Sequence, residues 1–188
     1  MPPIHQSLIT TQLMPNTEWQ VGYLNDEIID EYIKLLEKWA SKMGRKIITA
    51  NTKFYQIVVQ GKSWRKKVDL KKFDKLVFPS QFSPNHWSLG VVDFQHSTIS
   101  IVDPLGGQKS NARHYENLRK FLYERGFQYE WQVSHIDHPT QHDAVSCGVY
   151  VLKIAECIIL KSGAHMEFSR DEIDDYRYTV AERLMEGK

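Results

Sequence analysis

Two strand-like runs, Trp87 to Phe94 and Thr98 to Val102, are separated only by Gln95-His96-Ser97. So short a polar link calls for an antiparallel hairpin. Such pairing brings the start of the first strand back beside the end of the second. His86, just before the one, and Asp103, just after the other, are therefore expected at the same end of a sheet. Any fold built on this hairpin sets a histidine within reach of a carboxylate.

A third residue suits that pair. Cys147 stands in Gln141-His142-Asp143-Ala144-Val145-Ser146-Cys147-Gly148, a polar loop that runs into the apolar helical pattern Gly148 to Lys161. A thiol at a helix N-terminus faces unpaired backbone N–H groups and the positive end of the helix dipole, so its pKa is expected to fall. Nucleophile, base and base-orienting carboxylate are then all present. Cys157 has a different reading. It lies well inside the same helix and is expected to be a small buried hydrophobe.

The rest of the chain supplies a scaffold. Asn25-Asp26 reads as a helix start, with Ile28, Ile29, Tyr32, Leu35, Leu36, Trp39 and Met43 on one face and Gly44 as a stop. From Arg45 to Leu70 the signal is mixed, with an apolar patch from Phe54 to Val59. A further strand is expected over Lys75 to Pro79. A helix follows from about Ala112 to Arg125, with Gly126 ending it, and Tyr129, Trp131 and Val133 alternate as a strand does. Ser169 and Glu172 form a capping box for a last helix carrying Ile173, Tyr176, Val180 and Leu184.

With 188 residues, one domain spanning residues 1–188 is expected, large enough to fold without disulfides or metal. Lys plus Arg total 24 against 23 Asp plus Glu, which gives no electrostatic reason to expect nucleic acid or an anionic membrane. Met1 to Asn16 lacks the pattern of a secretory signal, and two cysteines fit a reducing, intracellular setting. His135, His138, His142 and Cys147 are spaced closely enough to converge on zinc, but the paired Cys/His spacings of structural zinc sites are absent. No cofactor or metal is expected.

The ordered motifs resemble the Ulp/sentrin-specific family of cysteine proteases, which remove ubiquitin-like modifiers. Tyr23-Leu24-Asn25-Asp26 is similar to the family's Trp-Leu-Asn-Asp opening, and His86-Trp87 to its His-Trp element. Asp103-Pro104-Leu105-Gly106-Gly107 is similar to its Asp-Ser-Leu/Met-Gly-Gly element, and Gln141 through Gly148 to its Gln-x5-Cys-Gly. The run Trp64 to Leu70 looks more like the SUMO-directed branch than the NEDD8-directed one.

This resemblance implies an α+β, papain-like cysteine protease fold, a central mixed sheet flanked by helices. It further implies Cys147 as nucleophile, His86 as general base and acid, Asp103 as orienting group and Gln141 as oxyanion donor. Trp87 would roof a channel for a Gly-Gly tail with Tyr23 as its floor, and Asp26 would face a basic residue of the modifier. The implied partner is a ubiquitin-like protein and its conjugates, SUMO-type before NEDD8 or ubiquitin, met by a monomer in the nucleus or cytoplasm, or in the host cytosol if the protein is a secreted effector. Three positions depart from the pattern. Tyr23 replaces a tryptophan, Asp143 an asparagine and Ser146 an aspartate, and a carboxylate near Cys147 would oppose thiolate formation. Two other readings fit the same residues: a clan-related acetyltransferase that uses acetyl-CoA, and a catalytically silent modifier-binding module.

Overall fold

The computed structural model describes residues 22–65, 67–106, 112–161 and 166–187. Residues 1–21, Lys66 and Gly107 lie outside that set. Helix α1 (Asp26–Lys42) starts where the sequence places it, because the Asn25 side chain accepts the Ile28 backbone N–H at 3.0 Å. Its apolar face, from Ile28 to Ala40, is buried. The stretch of mixed signal contains strand β1 (Ile47–Thr49), the short helix α2 (Phe54–Val59) and a single 3-10 turn at Leu70–Lys72.

Strands β2 (Lys75–Ser83), β3 (His86–Asp93) and β4 (Thr98–Val102) form the antiparallel centre of a five-stranded sheet ordered β1-β2-β3-β4-β5. The edges are parallel: β1 pairs with β2, and the short β5 (Gln132–Val133) with β4. The sheet is thus mixed, in an α+β fold. The β3–β4 hairpin is the expected one. Strand β2, in contrast, continues past Pro79, where the sequence suggested an end. Pairing with β1 stops at Thr49↔Val77, so beyond that point no strand of the ladder needs the N–H that proline lacks. After a register shift between Ser80 and Ser83, a second hairpin turns through Pro84-Asn85, with Asn85 at φ 56°, and delivers His86 as the first residue of β3. Strand β5 is shorter than the alternation suggested, since Tyr129 and Trp131 stack on each other instead, with ring centroids 5.3 Å apart.

Helices cover both faces. Helix α3 (Ala112–Glu124) joins α2 over one face, in a core that includes Phe54, Phe78, Trp64 and Trp131. On this side Gly90 leaves room for the Phe78 ring, since a Cβ there would lie 2.1 Å from Phe78 Cζ. Helices α1, α4 (Cys147–Lys161) and α5 (Arg170–Glu186) pack the opposite face. Helix α4 is buried along most of its length, which agrees with its nearly unbroken apolar sequence. Helix α5 carries the complete Ser169/Glu172 capping box. Glu156 of α4 ties these three helices together, accepting from Tyr32 at 3.0 Å, from Tyr176 at 2.5 Å and from Arg183 at 2.5 Å.

Candidate active site

The two hairpins and the N-terminus of α4 meet at one end of the sheet. The register Leu89↔Val102 places Ser88 opposite Asp103 and His86 on the diagonal, with both side chains on the same face. His86 Nε2 lies 2.6 Å from Asp103 Oδ1. An ionised carboxylate can only accept, so Nε2 carries the hydrogen and Nδ1 keeps the lone pair. The same Oδ1 accepts the Leu105 N–H at 3.0 Å, which fixes the carboxylate within its own turn.

Cys147 reaches this corner from the other side. It is 1% exposed, and the backbone N–H groups of Trp87 and Gly148 act on its sulfur in favour of the thiolate. Gly148, the next residue, packs on the Trp87 ring, which sets the start of α4 beside the residue that follows His86. One expectation from sequence is overturned here. Burial pushes the Cys147 thiol above its ordinary value and the Asp143 carboxylate adds to that, while the N–H groups of Trp87, Gly148 and Cys147 itself pull the other way without prevailing. The helix N-terminus does act on the thiol. Desolvation is the larger effect, because α4 begins inside the core and not at the surface.

Gln141 is placed in the same corner by backbone pairing, its N–H donating to the Pro104 carbonyl at 2.7 Å. Its side chain is occupied, however. Nε2 donates to the Asp143 carbonyl at 2.8 Å and to Asp143 Oδ1 at 3.2 Å, and the buried Oε1 has no partner. Asp143 in turn accepts the N–H groups of Val145 and Ser146, each at 2.7 Å. Burial would raise the Asp143 carboxyl, but those two N–H groups, the Ser146 side chain and the Gln141 amide outweigh it and hold the group below its usual value. The departures at Asp143 and Ser146 meet in this turn, since the Ser146 N–H donates to Asp143 and the Ser146 side chain helps hold that carboxyl down. An aspartate two and three residues before paired N–H groups is the local signal for this turn.

Trp87 is 6% exposed and donates its indole N–H to the Leu24 carbonyl at 2.8 Å. Leu24 and Trp87 also press on Gly148, where a Cβ would meet Leu24 Cβ at 3.0 Å and Trp87 Cδ1 at 3.3 Å. Glycine after the cysteine thus permits this close approach. Tyr23 is 53% exposed beside Leu24, and Asp26 is exposed in the first turn of α1. The Leu24 carbonyl, like those of Pro104 and Asp143, is a contact of this corner that carries no side-chain signature. His135 and His138 face each other with ring centroids 6.4 Å apart, and no group of three metal-ligating side chains occurs among the described residues.

Residues 4–186 match the model of the Ulp1 protease family, C-terminal catalytic domain. The chain belongs to the Ulp1 protease family. Ubiquitin-like-specific protease 1 of Saccharomyces cerevisiae is 30% identical over 141 residues, covering 69% of this chain and 22% of that protein. Sentrin-specific protease 5 of Homo sapiens is 30% identical over 182 residues, covering 88% of this chain and 22% of its own length. This chain thus spans about a fifth of these Ulp1-family relatives. Among solved structures, the C-terminal Ulp1 protease domain in complex with Smt3, the yeast ortholog of SUMO, superposes with a TM-score of 0.76 at 26% identity, over 96% of this chain and 81% of that one. The SUMO protease Ulp1 with its catalytic cysteine oxidised to a sulfenic acid gives 0.77 at 25% identity, over 97% and 92%.

Proposed function

We propose that this chain is a cysteine protease that hydrolyses the peptide or isopeptide bond after the C-terminal Gly-Gly of a ubiquitin-like modifier, SUMO-type first. The observation that carries the proposal is the 2.6 Å contact of His86 with Asp103 at the corner where Trp87 packs against the Cys147-Gly148 start of α4. His86 Nδ1 takes the thiol proton and the thiolate attacks the glycine carbonyl carbon. Collapse of the tetrahedral intermediate expels the amine, which takes the proton back from the imidazolium. Water activated by His86 then cleaves the thioester, releasing the modifier's carboxylate and restoring the thiol. Because the resting thiol is pushed up, the neutral imidazole held by Asp103 is what makes attack possible. Gln141 stabilises the oxyanion by turning one amide hydrogen from its 3.2 Å contact with Asp143, while the 2.8 Å bond to the Asp143 carbonyl is kept.

Trp87 and Tyr23 flank the tail, and Asp26 meets a basic residue of the modifier. The chain works as a single catalytic domain and a monomer, inside the cell, without nucleic acid or membrane. Among the described residues no helix is long and apolar enough to cross a membrane. The relatives named for ubiquitin-like and sentrin substrates support this reading over acetyl transfer and over silent binding. SUMO-type, NEDD8 and ubiquitin proteins bearing C-terminal electrophiles test it. A covalent adduct is expected on Cys147, fastest with the SUMO-type probe and lost in Cys147→Ser. No adduct with any probe, or an undiminished adduct in the serine variant, overturns it.

A further inference from the structure

Asp143 is the most heavily bonded side chain of the nucleophile loop, yet its carboxylate enters the proposed reaction only as the contact that Gln141 releases. Its Oδ1 gathers three donors, the N–H groups of Val145 and Ser146 and the Gln141 amide. Two of these lie in the residues immediately before Cys147, so the carboxylate sets the path by which the chain enters α4. The Gln141 amide ties the proposed oxyanion donor to the same oxygen. Asp143 is also an anion within electrostatic reach of the Cys147 sulfur, and it acts against the thiolate.

The groups around it come from several elements. Cys147 and Tyr150 of α4 feel its charge, and so does Arg177 of α5, a cation that also interacts with Cys147. Asp174 of α5 acts on Tyr150 and Arg177, and His86 of β3 is held by Asp103. Arg177 and Asp143 thus act on the thiol with opposite signs. Arg177 favours the thiolate and Asp143 the neutral thiol.

We propose that Asp143 is a positioning residue with two roles: its carboxylate shapes the turn that presents Cys147 and holds Gln141, and its charge, fixed on the Ser146 N–H one residue before the thiol, acts against the thiolate alongside burial. The inference rests on reading Cys147 as the nucleophile. A resting thiol resists oxidation and stray alkylation, and it ionises only when His86 accepts its proton. The consequence for chemistry is separable by substitution. Asparagine keeps an acceptor at Oδ1 for the turn and removes the charge. Glutamate keeps the charge and misplaces the acceptor.

The test is the pH dependence of Cys147 alkylation by iodoacetamide in the intact chain, resolved by peptide mass spectrometry so that Cys157 is followed separately. This readout needs no substrate. In Asp143→Asn the alkylation midpoint is expected to move to lower pH, with the rate at pH 6 rising about threefold to tenfold as the anion nearest the thiol in the loop is removed. Asp143→Ser, whose hydroxyl can take the same N–H groups, should move the same way and serves if asparagine does not fold by thermal melt. Asp143→Glu should keep the parent's midpoint while kcat/KM on a SUMO-type fusion falls. An unchanged or raised midpoint in the neutral variants overturns the charge role, and undiminished turnover in Asp143→Glu overturns the positioning role. If the parent cleaves no modifier fusion yet the midpoint still falls in Asp143→Asn, the protease reading fails and the inference about Asp143 stands.

Discussion

Replacing Asp103 by asparagine and by alanine separates what the carboxylate contributes as a charge from what it contributes as geometry. One oxygen, Oδ1, accepts from both His86 Nε2, at 2.6 Å, and the Leu105 N–H, at 3.0 Å. The Leu105 bond favours an oxygen over an NH2 group at that position, so Asp103→Asn should keep its carbonyl there and the imidazole should keep its tautomer. What is lost is the charge. A hydrogen bond to a charged group contributes about 1.5–3 kcal/mol and a neutral one about 0.5–1.5, so the difference is about 1–1.5 kcal/mol, or roughly tenfold in kcat. Asp103→Ala loses the whole contact and frees the ring, about a hundredfold or more. The alternative is reversal of the amide, which in a serine protease triad costs about 10⁴-fold by imposing the wrong tautomer. Steady-state kcat on a SUMO-type fusion, beside thermal melts to confirm folding, decides between them. The expected order is parent, then asparagine, then alanine. Asparagine at or below alanine refutes the argument that Leu105 holds the oxygen in place.

Three further outcomes follow from the packing. Glu156→Ala leaves Arg183 and two buried hydroxyls without their shared acceptor and should cost about 3 kcal/mol, lowering Tm by roughly 6–12 °C in a chain of this size. Burial would raise the Glu156 carboxyl, but the Tyr176 hydroxyl, Arg183 and Tyr32 outweigh it and hold its folded pKa below the usual carboxylate value. A depressed folded pKa gives stability that is complete above the ordinary value and lost as pH falls through the folded one, so the Tm gap between the parent and Glu156→Gln should narrow only in acid. Gly90→Ala forces a methyl group onto the Phe78 ring, itself packed 4.6 Å from Phe54, and should destabilise by about 1–3 kcal/mol in urea melts; Phe78→Leu in the same chain should recover part of the loss. Trp87→Ala should lower kcat/KM on Gly-Gly fusions while Tyr23→Trp keeps or raises it on the SUMO-type one, and a Trp87→Ala variant equal to the parent on every modifier refutes the tail channel.

The sequence by itself determined those features whose causes lie within a few residues of one another. The Asn25 and Ser169 caps and the apolar face of α1 depend on bonds and contacts three or four residues apart. A three-residue link likewise permits little but the β3–β4 hairpin, and that hairpin alone brings His86 to Asp103. The ordered motifs added Cys147 and Gln141 to the same site. What surrounds each of these groups was decided only by tertiary structure. The parallel edge strands β1 and β5 depend on partners far along the chain, and Pro79 is tolerated inside β2 only because β1 ends at Thr49. The sign of the shift at Cys147 was misjudged from sequence for the same reason. A helix N-terminus is a local feature that favours the thiolate, whereas desolvation depends on α1, β3 and α5 closing around α4, and burial prevails. Likewise the Gln141 amide meets the Asp143 carbonyl and carboxylate in a loop that folds back on the Pro104 carbonyl, a partner far along the chain.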